Sequence, residues 1–382
     1  MNQYNYKPVS ADSHIAETPH CWIDYIDPAY RDRAPGVRKI DNGMEVYVID
    51  NQPLMSGVKR ITSAGWTLEQ LRESSGTFAD VNPGGYDAKA RLADQDIDGV
   101  AAELIYPSMG MVISGMDDTG YKDACFKAYN KWLELEFCAG APDRLFGIGC
   151  TAAVSVEQTI KDLEDFSRAG FKGAMFSPSP ATEEDFHDPA WDPVWRAAVE
   201  LGLPISFHCL TSARDNNALA GNNVRGPKIN GFQAIVRVCQ DIIGMFIFGG
   251  VFDRVPELKL VSVEADAGWA PHWVYRADHA YNVHRSWLTC PELSKLPSEY
   301  FRENVYLTFQ DDAVAFAQAG AINDRHLMWA SDYPHTDSTW PRSQQVLSEH
   351  TSGMDAAQRR RIVRDNVIDL YGLEHLRLAE AA

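Results

Sequence analysis

The sequence predicts a (β/α)₈ TIM barrel with an insertion after the first strand. Short apolar runs alternate with stretches of helical periodicity along most of the chain, which calls for parallel strands joined by crossover helices. The runs that read as strands number eight, the count that closes such a barrel. They fall at residues 7–12, 100–106, 145–150, 173–177, 204–208, 258–264, 304–309 and 327–332. Helical patterns lie between them at 87–95, 121–139, 156–169, 189–201 and 268–281.

Two segments break the rhythm. Residues 36 to about 85 carry Gly, Pro and alternating apolar positions (Met44, Val46, Val48), which read as a hairpin plus loop. Residues 209 to about 230 contain Asn-Asn twice and scattered Gly, and read as a long loop after the fifth strand. Loops of that length in a compact domain are usually functional or mobile. The 382 residues are expected to form one barrel domain over 1–382, a size such barrels reach as one unit.

With 45% hydrophobic and 23% charged residues, a sizeable core is expected and disorder is not. The formal net charge of -18 disfavours nucleic acid and anionic membrane as partners, because an acidic surface repels phosphate. It leaves a small substrate open, since a metal inverts the local field. The seven cysteines (Cys21, Cys125, Cys138, Cys150, Cys209, Cys239, Cys290) are odd in number and form no C-x-x-C pair. Buried, reduced thiols are expected rather than disulfides or a cysteine zinc knuckle. The start, MNQYNYKPVSADSH, lacks the features of a signal peptide, and the most apolar stretch, 242–251, is too short to span a bilayer. A cytoplasmic location is expected.

Reactive groups of such a barrel sit where strands end. Asp12 and His14 end the first; two apart in an extended segment, they face the same way. His208 ends the fifth strand, Glu264 the sixth and Asp332 the eighth. Taken singly, each has an ordinary reading: a strand-end histidine is commonly a hydrogen-bonded core residue, and an Asp after a strand a helix cap. Together on one face, the carboxylates would repel and raise each other's pKa unless a cation neutralised them. A divalent metal bound by oxygen and imidazole is the economical solution. Glu103, inside the apolar second strand, is a further candidate ligand, or else the partner of an arginine. Tyr106, Arg214, Trp269 and His335 follow strand ends or lie in mouth loops and are candidates to bind substrate, Arg214 through a bidentate grip on a carboxylate.

The chain resembles the amidohydrolase superfamily, in particular its decarboxylase-like "amidohydrolase 2" branch, nearly end to end. The resemblance rests on Ala11-Asp12-Ser13-His14, Gly85-Tyr86-Asp87, Arg91-Leu92-Ala93-Asp94, Asp98-Gly99-Val100 and Pro142-Asp143-Arg144-Leu145. It continues with Gly202-Leu203-Pro204 leading to His208, Gly249-Gly250-Val251-Phe252 and Pro256-Glu257-Leu258. Its most specific piece is Ala330-Ser331-Asp332-Tyr333-Pro334-His335 with Thr339-Trp340-Pro341. The resemblance implies a divalent metal (Zn, Mn or Fe; one ion, or two) at the barrel mouth, held by Asp12, His14, His208 and Asp332. It implies that Asp332 shuttles protons for a metal-bound water.

Two departures stand out. The family's usual first-strand pair is H-x-H, whereas Asp12 makes this site harder and favours Mn²⁺ or Fe²⁺ over Zn²⁺. Many members end the sixth strand with histidine, and this chain has Glu264, counted here as both ligand and catalytic group with Asp332. With Glu103 added, a two-metal centre follows. No lysine ends the fourth strand, Lys172 beginning it instead, so a carbamylated-lysine bridge is disfavoured.

The leading expectation is a metal-dependent hydrolase acting on a small organic substrate through a metal-activated water. The alternatives are a non-oxidative decarboxylase of an aromatic or unsaturated acid, a carboxylate-rich two-metal oxygenase, and a non-catalytic metal-holding subunit. A homo-oligomer or a complex with a paralogous subunit is the expected assembly.

Overall fold

Eight parallel strands pair side by side in the computed structural model, which describes residues 5–73, 75–213, 224–234 and 236–378. They are β1 (Val9–His14), β5 (Ala102–Tyr106), β6 (Leu145–Thr151), β7 (Gly173–Phe176), β8 (Ile205–His208), β9 (Leu260–Val263), β10 (Val305–Phe309) and β11 (Leu327–Trp329), in that spatial order. Two backbone bonds bring the last strand's end to the first: Asp332 N–H donates to Asp12 O at 3.1 Å, and His14 N–H to Tyr333 O at 2.7 Å. The eight strands are those expected from the sequence. Every residue of β5 to β9 is buried, as befits parallel strands covered on both faces. β11 stops at Trp329, three residues short of the expected end, and Asp332 beyond it has a φ of 54°, outside the extended region.

Helices flank the strands as the periodicity predicts. Ala88–Asp98 begins where the Asp87 carboxylate accepts Ala90 N–H at 2.7 Å and ends at left-handed Gly99 (φ 72°), the usual polar start and glycine stop. The apolar stretch at 242–251 falls largely in the helix Arg237–Phe248, with Ile242, Ile243, Phe246 and Ile247 packed into the core. Phe246 meets Trp195 and Phe207, and Phe207 meets Phe176 and Phe186, in an aromatic layer outside β7 and β8. All seven cysteines are free thiols.

The insertion holds three strands rather than a hairpin alone: β2 (Gly36–Lys39), β3 (Glu45–Ile49) and β4 (Gln52–Gly57), antiparallel. β4 was hidden in the sequence because Pro53 and Gly57 dilute its strand pattern. Asp50 and Asn51 make its turn with φ of 50° and 60°, the left-handed pair of a tight hairpin turn that Asp and Asn tolerate. This small sheet packs on the segment after β1, where the buried Tyr47 hydroxyl donates to Glu17 O at 3.0 Å.

Candidate metal centre

Asp12, His14, His208, Glu264, Asp332 and His335 converge at the C-terminal ends of β1, β8, β9 and β11. His14 Nε2 lies 3.3 Å from Asp12 Oδ1, 3.4 Å from Glu264 Oε2 and 3.4 Å from Asp332 Oδ1. His208 Nε2 lies 3.6 Å from Asp12 Oδ1 and 3.5 Å from Glu264 Oε2. Glu264 and Asp332 both adopt left-handed φ, 51° and 54°. Such backbone is uncommon outside glycine and collects at turns and functional sites.

The imidazoles are oriented from behind. His14 Nδ1 lies 2.8 Å from Pro107 O, and His208 Nδ1 lies 2.9 Å from Cys209 O. A carbonyl only accepts, so each Nδ1 carries a proton and each ring turns its Nε2 inward. This is the orientation of metal-bound histidine. Both Nε2 atoms, both Asp12 oxygens, both Asp332 oxygens and Glu264 Oε2 are buried without a hydrogen-bond partner. So many unpaired acceptors in one place are costly unless a cation gathers them. The residues therefore fit a divalent ion, with Asp12, His14, His208, Glu264 and Asp332 as the donor set, rich in oxygen as the sequence suggested.

The electrostatics agree. Burial, then the facing Glu264 and Asp12, push the Asp332 carboxyl well above the usual carboxylate range. Burial lowers His14 to about 4, against the pull of Asp12. Burial also opposes charge on His208, but Asp12 and Glu264 outweigh it and raise that ring. These are the signs of carboxylates crowded without a counter-ion.

His335, expected to bind substrate, belongs to the cluster itself. Its ring stacks on His14 with centroids 4.0 Å apart, and its Nδ1 sits 3.1 Å from Asp332 Oδ1. Burial, with His14 next, drives its pKa well down. Tyr106 lies beneath the centre, its ring centroid 5.4 Å from that of His208 and its hydroxyl turned to Ser206 Oγ at 3.3 Å. It backs the imidazoles with its ring instead of offering its hydroxyl to a substrate. Trp269 is not brought to the centre: its Nε1–H donates to Ala265 O at 2.8 Å and its ring packs against Trp273 and Phe301. Arg214 lies outside the described residues.

Glu103 is also outside the cluster, contrary to its place among the expected ligands. Its carboxylate is buried against Arg91, Nε to Oε2 at 2.6 Å. Glu103 lies on the face of β5 opposite Tyr106, toward the flanking helix, where a buried acid needs a partner and finds a guanidinium. The two-metal arrangement loses the ligand on which it depended.

Three supporting residues escaped sequence reasoning. Ser108 donates its hydroxyl proton to Ile15 O at 2.6 Å and lies 2.7 Å from His335 Nε2. Glu17 accepts the Ser108 and Gly110 N–H groups at 3.0 and 3.1 Å. Arg91, fully buried, donates to the carbonyls of Gly84, His14 and Tyr333. Arg91 shares the buried face of its helix with Gln95 and Asp98, which no apolar periodicity reveals, and nothing local marks Ser108 or Glu17.

The amidohydrolase family model matches residues 80–373. This chain belongs to the amidohydrolase family. Solved structures agree on the fold. An amidohydrolase from Mycobacterium avium subsp. paratuberculosis K-10 superposes with a TM-score of 0.80 at 22% identity, covering 97% of this chain and 100% of that one. A 5-carboxyvanillate decarboxylase from Novosphingobium aromaticivorans, complexed with manganese and a nitrobenzoic acid, gives 0.67 at 19% identity, covering 97% of each chain. A 2,6-dihydroxybenzoate decarboxylase from Rhizobium gives 0.64 at 16% identity, covering 97% of this chain and 99% of that one. No curated protein sequence matches the chain.

Proposed function

We propose that this amidohydrolase-family chain is a manganese-dependent, non-oxidative decarboxylase of a small aromatic acid that carries a hydroxyl beside its carboxylate. The likeness to the manganese-bound decarboxylase and to the dihydroxybenzoate decarboxylase supports the substrate class. The observation that carries the reading is the chain of contacts Ser108–His335–Asp332.

Ser108 has one hydroxyl proton, and it goes to Ile15 O. His335 Nε2 must therefore be the donor in its contact with Ser108 Oγ. A neutral His335 then presents a lone pair from Nδ1 to Asp332 Oδ1 at 3.1 Å. A proton carried by Asp332 would lie between the two at this distance, held by the Nδ1 lone pair. A carboxylic acid held ready is what carbon protonation requires. Hydrolysis, the first expectation from the sequence, needs the opposite: an ionised carboxylate at Asp332 to take a proton from water. The decarboxylase alternative fits better.

A divalent ion held by Asp12, His14, His208 and Glu264, with Asp332 as a further donor through its unprotonated oxygen, would polarise the oxygens of the substrate's carboxylate and neighbouring hydroxyl. Asp332 gives its proton to the ring carbon that bears the carboxylate. The bond from that carbon to the carboxylate breaks, carbon dioxide leaves, and the electron pair stays to restore the aromatic ring. His335, whose side chain is 17% exposed while that of Asp332 is fully buried, is placed to return a solvent proton to Asp332.

The test is a panel of 2-hydroxybenzoates with Mn²⁺-loaded protein in deuterated water. Carbon dioxide release, with one deuterium at the vacated ring carbon, is expected, and Asp332→Asn should abolish both. Ester or amide cleavage by the loaded protein, with no carbon dioxide from any acid, overturns the reading.

A further inference from the structure

We propose that Arg91 is a positioning residue for the metal centre, a clamp that sets the spacing between the donors of β1 and those beyond β11. One guanidinium makes four bonds. Nε donates to Glu103 Oε2 at 2.6 Å, and Nη1 to Gly84 O at 2.8 Å. Nη2 is shared between His14 O at 2.7 Å and Tyr333 O at 3.2 Å. His14 is itself a donor to the ion, and Tyr333 follows the donor Asp332. His14 N–H also bonds Tyr333 O at 2.7 Å, so the two segments meet at one carbonyl, which the guanidinium covers.

Neighbouring contacts fix the same point. The guanidinium lies over the Tyr333 ring, 4.5 Å from its centroid. The Tyr333 hydroxyl donates to Asp94 and accepts from Asn82 Nδ2 at 2.9 Å. Glu103 pairs with Ser10 in the β1–β5 register, so the clamp is anchored on the strand beside the one it orients. Only a planar fork reaches a carboxylate and three carbonyls at once; an ammonium on a lysine stem does not.

A buried ion pair is seldom retained for stability, since apolar groups of similar shape often replace it at no loss. The carbonyls it aims at belong to the donor segments, and outer contacts of this kind typically change metal affinity 10- to 100-fold. The inference rests on the proposed metal centre and not on the reaction assigned to it, so the readout is Mn²⁺ affinity of chelator-stripped protein.

The variants are Arg91→Lys and the apolar pair Arg91→Met with Glu103→Leu, each measured by calorimetric Mn²⁺ titration and by thermal melting without metal. The expected result is that the apolar pair still melts cooperatively, at a temperature lowered by the carbonyls left without a donor, yet binds Mn²⁺ at least tenfold more weakly, with Arg91→Lys weakened likewise. A folded variant of either kind with wild-type affinity overturns the proposal. So does failure of both to fold, which would make the arginine a general stabiliser. If the unsubstituted protein takes up no Mn²⁺, the metal reading itself falls, a result distinguishable from either of these.

Discussion

Glu17→Gln tests the electrostatics of the supporting layer by a change in how stability depends on pH. Glu17 is fully buried between the small sheet and the barrel mouth; one carboxylate oxygen accepts two backbone N–H groups while Oε2 has no partner. Burial raises its pKa from 4.5 to about 7, against the pull of those N–H groups. A carboxyl whose folded pKa lies above its unfolded one binds more protons when folded. Its favourable contribution is present below about 4.5 and is lost as pH rises to about 7. At 1.36 kcal/mol per unit, the loss is about 3 kcal/mol. Glutamine keeps one oxygen for the two N–H groups and does not titrate. Its unpartnered amide carries a cost, but that cost is the same at every pH. Urea unfolding of metal-free protein from pH 4 to 8 should therefore show the variant gaining on wild type by about 3 kcal/mol between the ends of the range. The raised Asp98 carboxyl titrates in both proteins and cancels in the difference. Parallel curves for the two proteins would refute the reasoning.

Other outcomes follow from the same geometry. Ser108→Ala frees His335 Nε2 without touching a proposed metal donor, so kcat should fall about tenfold or more while Mn²⁺ affinity, read by calorimetry, holds. Gly84→Ala places a Cβ against the Asp94 carboxylate and the Tyr333 hydroxyl; overpacking of this kind costs about 1–3 kcal/mol, readable as a drop in urea midpoint. Free Mn²⁺ at a hundred times its Kd should stabilise the folded protein by about 2.7 kcal/mol, and thermal melts with and without the ion check it.

The barrel was legible because its strands are buried on both faces and read as apolar runs. Asp12, His14, His208, Glu264 and Asp332 were legible because each ends such a run, where a barrel places its chemistry. What stayed hidden depends on contacts between distant segments. Glu103 looked like a ligand because sequence shows an acid in an apolar strand but not which of several arginines meets it. Ser108 and Glu17 act through backbone groups, leaving no side-chain pattern to read. Tyr106 and Trp269 were placed correctly at strand and helix ends, but which way each polar atom turns is decided by Ser206 and Ala265. His335 was assigned to substrate, since its approach to Asp332 depends on the turn after β11, where His335 N–H bonds Asp332 O at 2.9 Å.

The account turns on whether one cation gathers the side chains at the barrel mouth. Protein stripped with a chelator, dialysed against Mn²⁺ and analysed for metal should hold one tightly bound ion per chain, and His208→Ala should lose it while keeping its fold. An intact, folded chain that retains no ion, or a His208→Ala protein that retains as much as the parent, would contradict it.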